Sequence, residues 1–168
     1  QGGLPRQPLP MPASLRPLIQ LRTGGAYRVD DAGLALTLLA APSQVGGWTA
    51  IVGVDDLGVE AALESGLDLD RTVLVPNPGE DWLEATAALV DVVPVVLLRP
   101  PHAVAAGTAA RLGARLRKRA ATLFVQGNWP GAEATLGVSE QRWYGAGAGH
   151  GRLTSRRVIV SCERGSAP

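Results

Sequence analysis

The chain has 168 residues with a formal net charge of +1, and 46% of them are hydrophobic, 4% aromatic and 18% charged. That length allows one compact domain with a sizeable core and is too short for two ordinary ones, while so even a charge balance selects neither nucleic acid nor an acidic partner. The single cysteine, Cys162, excludes an internal disulfide and a cysteine-based zinc site, and it fits a reducing cytoplasm.

So few rings leave a core of Ala, Val, Leu and Gly, which suits helices packed closely on a sheet. Charge is unevenly spread: residues 51–95 carry ten acidic side chains against Arg71 alone, and from Val96 onward eleven basic ones face Glu133, Glu140 and Glu163. No run reaches the roughly 18 apolar residues of a membrane span, and no signal-peptide pattern opens the chain. The first residue is Gln1 rather than Met, so functional segments beyond either end are expected.

Residues 1–17 carry Pro5, Pro8, Pro10, Pro12 and Pro17. Proline fixes φ and removes a backbone donor, so an extended or disordered linker is expected there, followed by a single domain over 18–168. Gly24-Gly25 turns the chain into a first strand, 26–29. Asp30-Asp31-Ala32-Gly33 makes a tight turn into a helix over 34–41, apolar almost all round as burial against a sheet requires, with Pro42 as its stop.

Residues 48–54 are a nearly continuous apolar run, the pattern of a central parallel strand covered on both faces, with Trp48 in the core. Asp55 or Asp56 is placed to cap a short helix that Gly66 ends, and a strand over 71–75 follows. Asn77-Pro78-Gly79 turns into a helix that ends near Val90, with Glu80 and Asp81 at the positive end of its dipole. A buried strand at 91–98 stops at Pro100-Pro101, a helix spans 107–120 and a strand spans 122–125. Beyond Gly127, short strands at 134–138, 141–144 and 156–162 replace the alternation. The fold class is α/β: a mostly parallel sheet flanked by helices, with an antiparallel meander at its C-terminal edge.

A phosphate-binding loop needs glycines that let backbone N–H groups converge, a Lys for charge and a Ser or Thr for magnesium. Asp30, Asp31, Ala32 and Gly33 supply none of these, and two carboxylates repel a phosphate; the turn reads as a plain capped turn. Nucleotide hydrolysis also wants an acid at the end of a buried strand, where this chain has Arg99. The glycine-rich stretch 145–151 fails the dinucleotide spacing and reads as a hairpin connection. His102 and His150 lack a carboxylate or Cys at ligand spacing, so no metal and no cofactor are expected. Cys162 reads as a buried structural thiol.

Arg111, Arg115, Lys118 and Arg119 share one side of the helix 107–120, with Leu112 and Leu116 toward the sheet. A solvated face is the plain reading, and contact with phosphates or an acidic partner is the sharper one. Trp129, Trp143 and Tyr144 are the aromatic candidates for an exposed contact, against simple packing under a loop.

The order of these units resembles the RecA-like ATPase core: the first strand, turn and helix, then 48–54, then "GLDLDRTVLVPNPGEDW" and "DVVPVVLLRP", then a terminal meander. Within that superfamily, "GWTAIVGVDDLG", "LDRTVLVPNPGEDW", "GNWPGAEATL" and "RWYGAGAGHGRL" are similar to the ImuA-type accessory proteins of the actinobacterial SOS mutasome. The resemblance implies a non-catalytic partner of an inactive Y-family polymerase homologue, and through it of an error-prone replicative-type polymerase, in translesion synthesis and induced mutagenesis. Departures from the active recombinase pattern at Asp30–Gly33 and Arg99 imply a degenerate nucleotide site and no ATPase. A cell-division inhibitor of the SulA type, and a DNA-binding module using the helix 107–120, are the alternatives.

Overall fold

Three four-residue runs, Thr49–Val52, Val95–Leu98 and Thr122–Val125, are buried at every position. A strand exposes alternate residues to opposite faces, so complete burial requires a layer on each side of the sheet. The computed structural model describes residues 3–144 and 153–165, with side chains other than those of 140–144 and 153–158, and it has that three-layer form. Its strands are β1 (Ala26–Val29), β2 (Thr49–Val52), β3 (Thr72–Val75), β4 (Val95–Leu98), β5 (Thr122–Val125), β6 (Ala134–Tyr144) and β7 (Leu153–Arg164). Its helices are α1 (Ala32–Gln44), α2 (Val59–Glu64), α3 (Trp82–Val90) and α4 (Ala106–Arg119).

Among the described residues these strands form one sheet in the order β3-β2-β4-β5-β1-β6-β7. Strands β1 to β6 pair in parallel, and β7 returns antiparallel along β6, with Leu136 opposite Cys162. The connections from β1 to β2 and from β2 to β3 step toward one edge of the sheet; those after β3 step back. Right-handed crossovers therefore place α1 and α2 on one face and α3 and α4 on the other. The core divides accordingly. Val29, Ile51, Leu97 and Phe124 pack with Leu38 and Leu39 of α1, while Val52, Leu98, Leu123 and Val125 pack with Trp82, Leu112 and Leu116. Phe124 has no exposed surface, and truncating such a side chain to Ala costs about 3–5 kcal/mol.

The segment expected to be a free linker is part of this core. Leu9, Met11 and Leu15, with Ile19 and Leu21 after them, are buried against the α1 face. Backbone bonds fix the segment: Leu9 N–H to the Leu21 carbonyl at 2.8 Å and Thr23 N–H to the Gln7 carbonyl at 2.9 Å. The prolines remain exposed or half-exposed between these apolar residues, so they stiffen a packed strap whose missing donors face outward.

Helix α1 runs on to Gln44 with Pro42 inside it, three residues beyond the expected end at residue 41. The proline falls in the last turn, where only one interior amide bond is lost, and Gly47 N–H closes the end by bonding the Pro42 carbonyl at 3.0 Å. Helix α2 is preceded by Gly58, which has no side-chain cap, so neither Asp55 nor Asp56 serves there. Residues 91–93 belong to the turn after α3, not to β4. Trp48 precedes β2 and is 48% exposed rather than in the core. The three short strands expected at the C-terminal end are two long ones, β6 and β7.

Candidate functional site at the carboxyl edge

In an open parallel sheet, ligands bind beyond the carboxyl ends of the strands, where neighbouring connections leave toward opposite faces. Here β1 exits to α1 on one face and its neighbour β5 exits toward β6, so the Asp30–Gly33 turn and the Gln126-Gly127 turn lie side by side. Both carboxylates of the first turn are already engaged. Asp31 is the N-cap of α1 and its Oδ1 accepts from Leu34 N–H at 2.8 Å. Asp30 Oδ1 accepts from Gly127 N–H at 2.9 Å, across from β5, and Arg28 pairs with its other oxygen at 2.8 Å. Arg28, helped by the Gly127 amide, holds the Asp30 carboxyl below its ordinary value against the cost of burial. Amide hydrogens that would hold a phosphate at a helix start thus meet the protein's own carboxylates. Ala32 and Gly33 sit exposed in the first turn of α1 and bring no charge.

Arg99 follows β4, and its backbone N–H bonds the Val52 carbonyl at 2.9 Å. The close approach is possible because Gly53 lies there with φ +80; a Cβ on it would collide with the Arg99 carbonyl. Arg99 Nη1 lies 2.7 Å from Asp56 and 3.9 Å from Asp55, and Nε donates to Gln126 Oε1 at 3.1 Å. That guanidinium holds the Asp56 carboxyl below its ordinary value. One side chain therefore ties the ends of β2, β4 and β5 together. A cleft of about 440 Å³ opens beside it between Gly53, Asn77, Gly79 and Pro101. At its rim His102 Nε2 approaches Glu80 at 3.3 Å, and the imidazole meets the edge of Trp82 at 6.1 Å between centroids. The Ala103 carbonyl, then Glu80, raises the His102 value. No group of three His, Cys, Asp or Glu side chains spaced for a metal occurs among the described residues.

The predicted basic row on α4 is divided. Leu112 and Leu116 face the sheet as expected, but Arg115 and Arg119 both bind Asp91, with Nε distances of 2.8 and 3.2 Å. Arg115, with Arg119, lowers the Asp91 carboxyl to about 2. Arg111 reaches only Thr108, at 3.4 Å, and Lys118 has no acidic partner among the described residues. Trp129 is 4% exposed and packs in the core beside α4, so it is closed to a partner. The side chains of Trp143 and Tyr144 in β6, together with residues 145–151 and His150, lie outside the described residues. Cys162 is exposed on the edge strand β7, contrary to the buried thiol expected.

Sequence reasoning gave Asp55 and Asp56 only a capping role and gave Gln126 none. A polar residue directly after the apolar run Leu123-Phe124-Val125 was the available signal for Gln126, which is 8% exposed. No helix is long and apolar enough to cross a membrane among the described residues.

The uncharacterized protein Rv3395c of Mycobacterium tuberculosis (strain ATCC 25618 / H37Rv) is 38% identical to this chain over 105 residues, covering 61% of the chain and 52% of that protein. The chain thus spans about half the length of the curated relative it matches. Residues 14–131, which run from within the packed N-terminal strap through β5 and the turn beyond it, match the family described as the MT3502 N-terminal domain, and the chain belongs to that family.

Proposed function

We propose that the protein is a RecA-like scaffold without a working nucleotide site, acting as an adaptor in SOS-induced mutagenic translesion synthesis. In this reading it binds an inactive Y-family polymerase homologue, and through it an error-prone replicative-type polymerase, in the bacterial cytoplasm. The observation that carries the non-catalytic part is the doubly occupied turn after β1: Asp31 caps α1 and Asp30 takes the Gly127 amide. A phosphate there would have to displace two carboxylates and then sit against their charge. Arg99 adds to this, because a guanidinium bound to Asp55 and Asp56 stands where a magnesium-binding acid is required. The RecA-like part is supported by β1 lying inside the sheet between β5 and β6, with α1 returning to β2 across the intervening strands. The partners come from the sequence resemblance.

Two measurements test the reading. Calorimetry with millimolar ATP and magnesium gives no binding heat; saturable heat at that concentration would remove the non-catalytic claim. Affinity purification of the full-length protein from DNA-damaged cells recovers the Y-family homologue. Recovery of the division GTPase instead would select the SulA-type alternative. The α4 DNA-binding alternative is weakened by Asp91, which engages two of the four cations in the row and offsets one of their charges. If α4 were the site, Arg111→Glu with Arg115→Glu would abolish a strongly salt-dependent affinity.

A further inference from the structure

At the opposite, amino edge of the sheet lies a cavity of about 490 Å³ beneath β1, β6 and the end of β7, walled on one side by the N-terminal strap. Its charged and reactive lining is Arg6, Arg22, Tyr27, Glu133, Cys162 and Arg164. We propose that this cavity is a binding site for a phosphate group. The proposal is independent of the adaptor reading above.

Three arginines and one carboxylate line this concavity. Glu133 is already engaged: its Oε2 takes Arg6 Nη2 at 2.7 Å and lies 3.0 Å from the Tyr27 hydroxyl. Arg6 is fixed further by Nε donating to the Thr23 carbonyl at 2.7 Å. The Tyr27 oxygen accepts from Arg22 N–H at 3.1 Å, so the wall that presents Arg22 is tied to the same network. The side chains of Arg22 and Arg164 have no acidic partner among the described residues. An exposed arginine alone is a solvated charge and signifies little. Two arginines without an acidic partner lining one concave space, beside a third held by Glu133, are a set that can take a multiply charged oxyanion through forked hydrogen bonds. Because the Arg6, Glu133 and Tyr27 network is already ordered, binding costs little further ordering of that wall. Charge excess over a single carboxylate favours a phosphate dianion or a phosphodiester backbone over one carboxylate ligand.

The only cysteine lines the cavity, which supplies a built-in reporter. The experiment follows alkylation of Cys162 by neutral iodoacetamide in the full chain at fixed ionic strength. Pyrophosphate, a 5′-phosphorylated single-stranded oligonucleotide and its unphosphorylated twin are the probes, with chloride as control. Protection by pyrophosphate alone assigns a free small phosphate; protection by the phosphorylated oligonucleotide alone assigns a strand end; equal protection by both oligonucleotides assigns the diester backbone. Any of these three supports the site. Arg22→Ala and Arg164→Ala each weaken the protecting probe by about tenfold, as expected for loss of a charge-assisted hydrogen bond. Arg164→Lys recovers part of it, since a point charge replaces a fork. Both residues are exposed, so thermal midpoints stay within about 2 °C of the parent. Failure of every probe to slow alkylation beyond chloride overturns the proposal, as does protection unchanged in the Arg22→Ala, Arg164→Ala double variant.

Discussion

The two edges of the sheet differ in how their charges are spent. At the carboxyl edge each cation is matched: Arg28 with Asp30, Arg99 with Asp55 and Asp56. The helix start that could hold an anion is capped by Asp31. At the amino edge, beneath β1 and β6, Arg22 and Arg164 are left over beside a cavity that the N-terminal strap walls off. At the usual ligand edge of an open α/β sheet the cations are thus taken up by the chain's own carboxylates, and the concavity with surplus positive charge lies at the other end. Position in a fold and availability for binding are separate properties; side-chain pairing decides the second.

The strongest test of this contrast removes the wall of the amino edge. Deleting residues through Leu21 strips Leu9, Met11, Leu15, Ile19 and Leu21 from the core. At about 1.5–3 kcal/mol for each buried side chain, the loss is comparable with the whole stability of a domain. The shortened chain is therefore expected to lose its cooperative urea transition. Deletion through Leu4, which is exposed, leaves the transition in place. A cooperative transition in the longer deletion would return the segment to the status of a linker.

Next in size, two glycines compare the edges directly. Gly53→Ala puts a Cβ onto the Arg99 carbonyl at a residue with φ +80, and backbone cannot yield. Left-handed strain and overpacking together cost about 3 kcal/mol, a fall of about 10 °C in Tm. Gly25→Ala instead meets the carboxylate end of Glu133, a flexible side chain that can swing away. Its expected Tm loss is below about 3 °C, but it frees Arg6 from Glu133. A larger loss for Gly25→Ala than for Gly53→Ala would mean that the amino edge, not the carboxyl edge, is the rigid one.

Much of this architecture was legible in the chain. Residues 26–29 and 122–125 match β1 and β5 to the residue, because short, largely apolar runs rich in β-branched and aromatic residues, set between turn residues and helices, favour strands. The capped turn at Asp31 was legible too, since Asp at a helix start has a local physical role. What failed depended on distant partners. The strap reads as a linker by its prolines, and only the α1 surface tells Leu9 and Met11 that they have somewhere to pack. Cys162 sits on an apolar-looking stretch, but β7 is an edge strand, with nothing printed by the local pattern to say so. The row on α4 was placed correctly by helical spacing, while the engagement of Arg115 and Arg119 by Asp91 joins residues more than twenty positions apart.

At the carboxyl edge, Asp31→Ala removes the α1 cap and is expected to lower stability by about 1 kcal/mol. Urea melts measure it. Calorimetry on the same variant still shows no ATP heat, because Asp30 keeps the Gly127 amide. ATP binding in Asp31→Ala alone would mean that a single carboxylate, and not the paired arrangement, closes the site.

The smallest effect lies at the amino end of the sheet, and it is visible through pH. Asp91, between Arg115 and Arg119, has a folded value of about 2, below its ordinary 3.8. A carboxyl lowered on folding binds fewer protons in the folded state, so its contribution is present above the unfolded value and fades as pH falls toward the folded one. The difference in urea midpoint between the parent and Asp91→Asn should therefore be constant above about pH 5 and shrink between about pH 4 and pH 2. Salt should reduce it as well, since the pair stands at the surface. A midpoint difference that stays constant through that acid range would show that Asp91 acts through packing or turn geometry, and Arg115 and Arg119 would then count with Arg22 and Arg164 among the cations left over for an anionic ligand.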